Sequence, residues 1–438
     1  MARGWISFGR NHRQRGGLHW LLSGWLALFL VVGPGPSALA APGALDTSFS
    51  GDGLMTTDFT SKLDFAFDVA ISETDGTIVA AGRAGGTDAR FALARYTSSG
   101  ALDPTFGGDG KVLTNFTPGF DSAFGVAIQA DGKIVAAGAA AGSGGRIAVA
   151  RYLTDGSLDP AFSGDGRQIT NLTSGDDYAW AVAIQPGDQK IVIAGGAGGS
   201  GGRFMLARYN ANGTLDSTFG NSGRVFTDFT SKYEYVDAIV IQGDDKILAA
   251  GSTNYFGSNP RFALARYETD GALDTTFSGD GKLTTGFAEG RAWAFGVALE
   301  IGGGIVAAGQ AGSKVAVARY SASGVLDGSF SGDGRQTTNL TVGTDYADEV
   351  MIQADGSVVV VGSANYFGAD ARFAILRYQV GGPLDPTFSD DGKVLTNPSG
   401  GVDWALGAVL QPLDEKIVVA GRTSGTGGRF IVGRYLVT

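Results

Sequence analysis

Acidic residues recur at equivalent places along this chain, and regularly spaced carboxylates can bind cations or act as paired acid and base catalysts. They lie 56 to 58 residues apart, with one interval of 111 across a copy that has Ala292 instead. The set is Asp64, Asp121, Asp177, Glu234, Asp345 and Asp403. The simplest chemistry for six such groups is a carboxylate ring that binds a cation weakly around an axis.

Basic residues offer a second interpretation of the same carboxylates. An arginine follows each of them by 25 to 27 residues, and the copy with Ala292 has Lys314 at that place. The arginines are Arg90, Arg146, Arg203, Arg261, Arg372 and Arg429. Because both patterns break in the same copy, we favour an ion pair between carboxylate and guanidinium, with a structural role, over the cation ring.

Aromatic residues form the other set with chemical potential. Two copies carry the sequence NYFG, which presents Tyr255 with Phe256 and Tyr366 with Phe367. Aromatic residues also stand just after the recurrent carboxylates, among them Trp293 and Trp404. Exposed rings give a large contact area at little entropic cost, so these six residues are the candidate ligand-binding set for a glycan or peptide. The alternative is that the regularly spaced aromatics pack within the fold.

The first 40 residues have the pattern of an export signal. Four arginines precede an apolar run at 21–32, and Ala38-Leu39-Ala40 provides a small-residue cleavage site. The apolar run is short for a membrane span, which needs roughly 20 residues. We therefore expect a signal peptide at 1–40, cleavage near Ala40, and a mature protein, 41–438, that is secreted, periplasmic or on the cell surface.

Composition excludes several classes of function. Both histidines, His12 and His19, lie in the predicted signal and the chain has no cysteine. Nucleophile systems based on histidine and the usual zinc sites therefore lack their donor atoms. The net charge of −10 argues against nucleic acid as a partner. We predict no cofactor, with calcium kept as the alternative, because an acidic surface leaves room for a hard cation.

One short motif fixes the architecture, because it returns seven times. LDPTF at 102–106 has counterparts starting at Leu45, Leu158, Leu215, Leu273, Leu326 and Leu384. Between motifs lie short Val- and Ile-rich runs bounded by Gly and Asp, which predict four strands per copy. The N-terminal copy supplies only a fourth strand, near 54–59, whereas the C-terminal copy supplies only three, from 404 to 435. We therefore predict an all-β, seven-bladed propeller in one domain, with the N-terminal strand completing the last blade.

The longer pattern RFALARYxxxGxLDxxFxxDGK, seen at Arg90, Arg261 and Arg372, resembles the delta-60 repeat of secreted bacterial proteins. The resemblance implies a β-propeller and export, and it carries no activity that can be transferred to this chain. The Arg-Tyr and Leu-Asp pairs present in every copy are most simply structural.

Function is predicted from what differs between copies. We expect a non-catalytic binding or scaffold module, monomeric, that recognises a glycan, peptide or cell-surface protein through its loop-rich face. The alternative is a glycoside hydrolase or lyase that uses axial acids such as Asp64, Asp121 or Asp177. No catalytic residue is assigned, because no cluster of unique polar residues is evident in the sequence.

Overall fold

The computed structural model describes residues 40–142, 144–198, 202–230, 233–424 and 427–437. The predicted export signal lies outside this range, since its residues 1–39 are not described. The described chain folds into seven four-stranded antiparallel sheets and one short 3-10 helix, Gly86–Asp88. In the part of the chain that the structure describes, no helix has the length and apolarity needed to cross a bilayer.

Each sheet is one blade, and the blades are numbered in chain order. Blade 1 contains β2 (Asp64–Ile71), β3 (Ile78–Ala84), β4 (Arg90–Tyr96) and β5 (Lys111–Thr114). Blade 2 contains β6 (Asp121–Ile128), β7 (Ile134–Gly142), β8 (Gly144–Tyr152) and β9 (Arg167–Thr170). Blade 3 contains β10 (Asp177–Ile184), β11 (Ile191–Ala197), β12 (Arg203–Tyr209) and β13 (Arg224–Thr227). Blade 4 contains β14 (Tyr235–Ile241), β15 (Ile247–Thr253), β16 (Arg261–Tyr267) and β17 (Lys282–Thr285).

The remaining blades follow the same plan. Blade 5 contains β18 (Ala292–Leu299), β19 (Ile305–Ala311), β20 (Lys314–Tyr320) and β21 (Arg335–Thr338). Blade 6 contains β22 (Tyr346–Ile352), β23 (Val358–Ala364), β24 (Arg372–Tyr378) and β25 (Lys393–Thr396). Blade 7 contains β26 (Trp404–Leu410), β27 (Ile417–Thr423), β28 (Arg429–Tyr435) and, from the other end of the chain, β1 (Leu54–Thr57).

The ring closes through the N-terminal strand, as the sequence predicts. β1 pairs antiparallel with β28, from Leu54 opposite Gly433 to Thr57 opposite Phe430. The first strand of each blade packs against the first strands of its two neighbours, including β2 against β26. The seven first strands therefore surround the axis, and every blade interior is covered on both sides.

The recurrent motif residues hold adjacent blades together, in agreement with their predicted structural role. The Phe of each Leu-Asp motif is fully buried; Phe106, for example, packs between residues of blades 1 and 2. In blade 3 the Arg208 guanidinium bonds Asp216 and also donates to the carbonyl of Thr269 in the next blade. At the ring closure, Arg434 bonds Asp46 across 388 residues of chain and donates to the carbonyl of Ser98 in blade 1.

A β-bulge interrupts every first strand. In blade 4 the register with β15 shifts between Val236 and Ala238, so the extra residue Asp237 has no partner in the ladder. The facing residue, Gly251, is required there because a Cβ would lie 1.9 Å from the carbonyl oxygen of Tyr235. The register shifts at the same place in all seven blades. The bulges give the axis a ring of equivalent side chains.

Candidate functional site

Two sets of loops share one face of the propeller, which we call the upper face. They are the entry loops before each first strand and the loops that join the second strand to the third. In blade 3 the backbone N–H of Gly198, just after β11, donates to Asp177 at the start of β10 over 3.2 Å. The two NYFG loops therefore lie beside the entry loops. The connections of the opposite, lower face, which include the Leu-Asp motifs, differ little from blade to blade.

The six recurrent carboxylates stabilise the entry loops. Asp177 accepts hydrogen bonds from the backbone N–H groups of Leu172 (2.7 Å) and Thr173 (2.9 Å) and from the Thr173 hydroxyl (2.6 Å). The equivalent acids accept hydrogen bonds from donors four or five residues upstream, and all six residues are nearly inaccessible to solvent. They are Asp64, Asp121, Asp177, Glu234, Asp345 and Asp403. Each acid is therefore bonded within its own entry loop, and among the described residues no group of three or more acids is placed to hold a metal ion.

The predicted pairing of these acids with the third-strand arginines is wrong. Arg203 lies 3.8 Å from Asp228, and Arg429 lies 3.8 Å from Asp58, so each faces an acid just beyond a fourth strand. These arginine and aspartate side chains are about half exposed. The local backbone competes better for the buried carboxylates because it lies only four or five residues away and needs no desolvated guanidinium.

The NYFG loop of blade 4 and the start of blade 5 bring their predicted aromatic residues into one cluster at the upper face. Tyr255 and Phe256 have ring centroids 5.0 Å apart, and Trp293 Nε1 donates to the carbonyl of Tyr255 over 3.2 Å. Tyr255 also contacts Tyr235, whose ring lies tilted against that of Trp180 with centroids 5.1 Å apart. The ring of Phe256 remains 65% exposed. It therefore stands on an ordered aromatic base, by which we mean the packed rings of Tyr255, Tyr235 and Trp293.

Blade 6, together with the start of blade 7, repeats this arrangement two blades further round the ring. Trp404 Nε1 donates to the carbonyl of Tyr366 over 3.0 Å, and the two rings stack with centroids 5.1 Å apart. Tyr366 also contacts Phe367, which is 75% exposed. Arg422 lies 4.6 Å from the centroid of the Trp404 ring. The structure therefore brings each predicted Tyr, Phe and Trp together. Trp293 and Trp404 stabilise the two NYFG loops through the hydrogen bonds from their indole N–H groups.

A groove adjoins the exposed ring of blade 4. It has a volume of about 630 Å³ and its walls include Phe256, Tyr233, Asn254, Asn259 and Arg261. Amide, guanidinium and aromatic groups on one concave surface can offer hydrogen bonds and stacking to the same ligand. This groove is the part of the upper face best suited to recognise a polar molecule.

A second cavity, of about 310 Å³, lies on the axis. Every first strand contributes to its wall, and five of the seven bulges present an apolar side chain there: Phe67, Phe124, Trp180, Phe295 and Leu406. The other two present Asp237 and Asp348, and the next residue along the strand adds Asp68 from blade 1 and Glu349 from blade 6. We call these four acids the axial carboxylates.

Burial raises the pKa of every axial carboxylate. The pKa of Asp348 rises to about 8 through burial, and that of Glu349 rises to about 8 through burial and the charges of Asp68 and Asp348. Burial, with the Asp348 charge, also raises the pKa of Asp237 well above its usual value. Asp68 rises less, to about 6, because burial is offset by hydrogen bonds from the N–H groups of Val126 and Val69.

Sequence reasoning missed the axial carboxylates, although a signal was present. In most copies the first strand carries a large apolar residue followed by Gly or Ala, as in Phe124-Gly125. The pairs Asp237-Ala238, Asp348-Glu349 and Phe67-Asp68 break that rule. The expectation that no polar cluster departs from the repeat is therefore wrong.

Comparisons with known proteins agree with the repeat architecture. A family model described as a domain of unknown function, DUF5122, β-propeller, matches residues 73–106, 129–162, 187–219, 242–277 and 353–388. This chain is a β-propeller repeat protein. Each match runs from the turn before a second strand to the Phe of a Leu-Asp motif. No curated protein matches the sequence.

Solved propellers are similar in shape and distant in sequence. A streptogramin B lyase is 11% identical with a TM-score of 0.54, and the alignment covers 87% of this chain and 97% of the lyase. An inactive virginiamycin B lyase from Staphylococcus aureus, with quinupristin, is 10% identical with a TM-score of 0.52, covering 87% and 98%. At such identities the likeness concerns the fold alone.

Proposed function

We propose that this propeller is an exported, non-catalytic binding module of the delta-60 repeat type, which recognises a glycan or a peptide through its upper face. The observation that supports this most is the pair of exposed rings, Phe256 and Phe367, each held on an ordered aromatic base. An exposed ring that continues into an ordered cluster of aromatic residues forms a contact surface larger than one side chain, and such surfaces are typical of binding sites.

The groove beside Phe256 supports a polar ligand rather than a purely apolar one. Asn254 and Asn259 supply amide donors and acceptors, and Arg261 supplies a cationic donor set. Sugars offer hydroxyls to such groups while their apolar faces stack on aromatic rings. A glycan therefore fits this surface best, and a peptide is the other candidate.

Glycan and peptide arrays probed with the mature protein, 41–438, test the proposal. We expect Phe256→Ala and Phe367→Ala to weaken retention at least tenfold without changing the fold, since both rings are exposed. Leu413→Ala is the matched control, because Leu413 is 97% exposed in a lower-face turn. Retention that Phe256→Ala and Phe367→Ala leave unchanged contradicts the proposal.

A carboxylate-dependent glycoside hydrolase or lyase is the second candidate, and the axial carboxylates favour it. Protonated acids with a raised pKa are what general acid catalysis at neutral pH uses. Turnover of a polysaccharide panel by the wild-type protein, abolished by Asp348→Asn or Glu349→Gln, would establish this candidate. Retention of a glycan without turnover would support the binding module instead.

A further inference from the structure

We propose that the axial cavity is a binding site for a small alkylammonium ion, held by Asp237 and Asp348 against the ring of Phe295. This inference is independent of the upper-face proposal, because its residues belong to the first strands and not to the NYFG loops.

The positions of the three residues are set by the bulges. Asp237, Phe295 and Asp348 occupy the same bulge position on the successive first strands β14, β18 and β22. The two acids therefore stand on either side of the aromatic residue around the axis, and all three line the cavity. Each of these strands packs against the first strands of the neighbouring blades.

Each of the two aspartates has one carboxylate oxygen that accepts no hydrogen bond from the described residues. Oδ2 of Asp237 and Oδ2 of Asp348 are buried and have no hydrogen-bond partner. A buried carboxylate oxygen without a donor is costly, so native proteins provide it with a protein group, a water or a ligand. Two such oxygens in one cavity indicate a ligand that brings donors of its own.

The rest of the wall narrows the class of ligand to an organic cation. An ammonium group has three donors and no acceptor, which matches a wall whose polar side chains are carboxylates. The rings of Phe67, Phe124, Trp180 and Phe295 would cover the alkyl part and attract the positive charge. A bare metal ion would gain little from these rings, and the described acids form no metal-binding group.

The charged groups in the wall of the cavity favour the binding of a cation. The titratable groups in its wall are the four axial carboxylates, from β2, β14 and β22. The first strands β6, β10, β18 and β26 contribute only uncharged residues to it. Burial raises the pKa of the Tyr255 and Tyr366 hydroxyls, and the nearby charges of Asp237 and Asp348, respectively, raise it further. A bound cation would lower the pKa of the acids, so binding near pH 7 should release protons.

Isothermal titration calorimetry with 1,4-diaminobutane, a dication at pH 7, tests the proposal on the mature protein. The neutral 1,4-butanediol is the matched ligand control. We expect saturable binding of the diamine alone, with proton release measured in two buffers that differ in ionisation heat. Asp237→Asn and Asp348→Asn should each weaken binding at least tenfold, and Phe295→Leu should weaken it less.

Asp244→Asn is the matched control variant, because Asp244 is an exposed acid in the lower-face turn of the same blade as Asp237. It removes the same charge and should leave the affinity unchanged. Circular dichroism and thermal melting establish that each variant folds, and Glu349→Gln replaces any that does not. The proposal is overturned by absence of saturable diamine binding, by equal binding of the diol, by affinity insensitive to both axial variants, or by calcium binding more tightly at the same site.

Discussion

At the scale of single residues, the acids of this propeller fall into two classes with opposite energetics. Those of the entry loops are buried but surrounded by donors, as with Asp177 and the N–H groups of Leu172 and Thr173. Those on the axis are buried with too few donors, as with Asp348. The first class should stabilise the fold, and the second should weaken it while preparing a site.

The first class predicts that Asp177→Ala is destabilising. The change leaves two buried N–H groups without their acceptor, so the free energy of unfolding should fall by about 2 kcal/mol or more. Urea unfolding of the purified protein measures this. Asp228→Ala is the control: Asp228 is exposed and faces Arg203 only at 3.8 Å, so its loss should cost less than about 0.5 kcal/mol. Equal stability of the two variants would contradict the loop-capping role.

The second class predicts that stability falls as pH rises from 5 to 8. The folded state has pKa values of about 8 for Asp348 and Glu349 and about 6 for Asp68, above the usual carboxyl values. In this window the folded protein binds more protons than the unfolded chain, so raising the pH favours unfolding. Asp46, whose pKa is lowered to about 2, acts with the opposite sign but only at lower pH.

Urea unfolding at pH 5, 6.5 and 8 measures this dependence. Asp348→Asn should flatten the profile and should exceed the wild type in stability at pH 8, because it removes a charge that burial disfavours. Asp244→Asn removes an exposed charge and should keep the wild-type slope. A parallel pH profile in Asp348→Asn and wild type would refute a raised pKa at this residue.

At the scale of the elements, the bulge in each first strand is what turns ordinary strands into the wall of a cavity. It exposes one extra side chain to the axis and brings a carbonyl group against the second strand. In all seven blades the second strand has a glycine where this carbonyl group approaches: Gly82, Gly138, Gly195, Gly251, Gly309, Gly362 and Gly421. Without the glycine the carbonyl could not approach, and the bulged residue could not point inward.

The bulge predicts a specific intolerance at Gly251. In Gly251→Ala the new Cβ would lie 1.9 Å from the Tyr235 carbonyl oxygen, so β14 and β15 must separate. We expect the free energy of unfolding to fall by about 1 to 3 kcal/mol. Gly243→Ala is the control, since nothing lies within 4 Å of a Cβ there, and its effect should stay within about 0.5 kcal/mol. Chemical denaturation compares the two, and a neutral Gly251→Ala would show that the bulge can relax.

At the scale of the whole molecule, the architecture could be predicted from the sequence because every copy of the repeat forms the same four-stranded blade. Seven Leu-Asp motifs give the number of blades, and the two partial copies at the ends predict the pairing of β1 with β28 that the structure shows. The pairing of loops on a common face follows from strand alternation alone. These features depend on the repeat length and on the alternating direction of the strands, and they do not depend on the contacts of individual side chains.

The axial cavity was harder to predict from the sequence, because its residues come together only when the seven blades close into a propeller. Asp68, Asp237 and Asp348 are far apart in sequence, and each occupies a strand that looks like its neighbours. Only closure of the propeller brings them to one axis, and the bulges turn Asp237 and Asp348 inward. The bonding of Asp177 by its own loop was equally hidden, because residue spacing does not show which backbone groups an acid will meet.

Closure of the ring by β1 yields the last prediction. A chain that begins at residue 60 lacks β1 and also Asp46, the partner of Arg434. The edge of β28 would then be unpaired, and unpaired edges promote association. We expect a lower melting temperature and self-association, measured by calorimetry and analytical ultracentrifugation. A synthetic peptide of residues 41–59 should restore both properties by occupying the vacant edge, whereas a scrambled peptide should not. A truncated chain that stays monomeric with an unchanged melting temperature would show that three strands suffice for blade 7 and that β1 does not stabilise the ring.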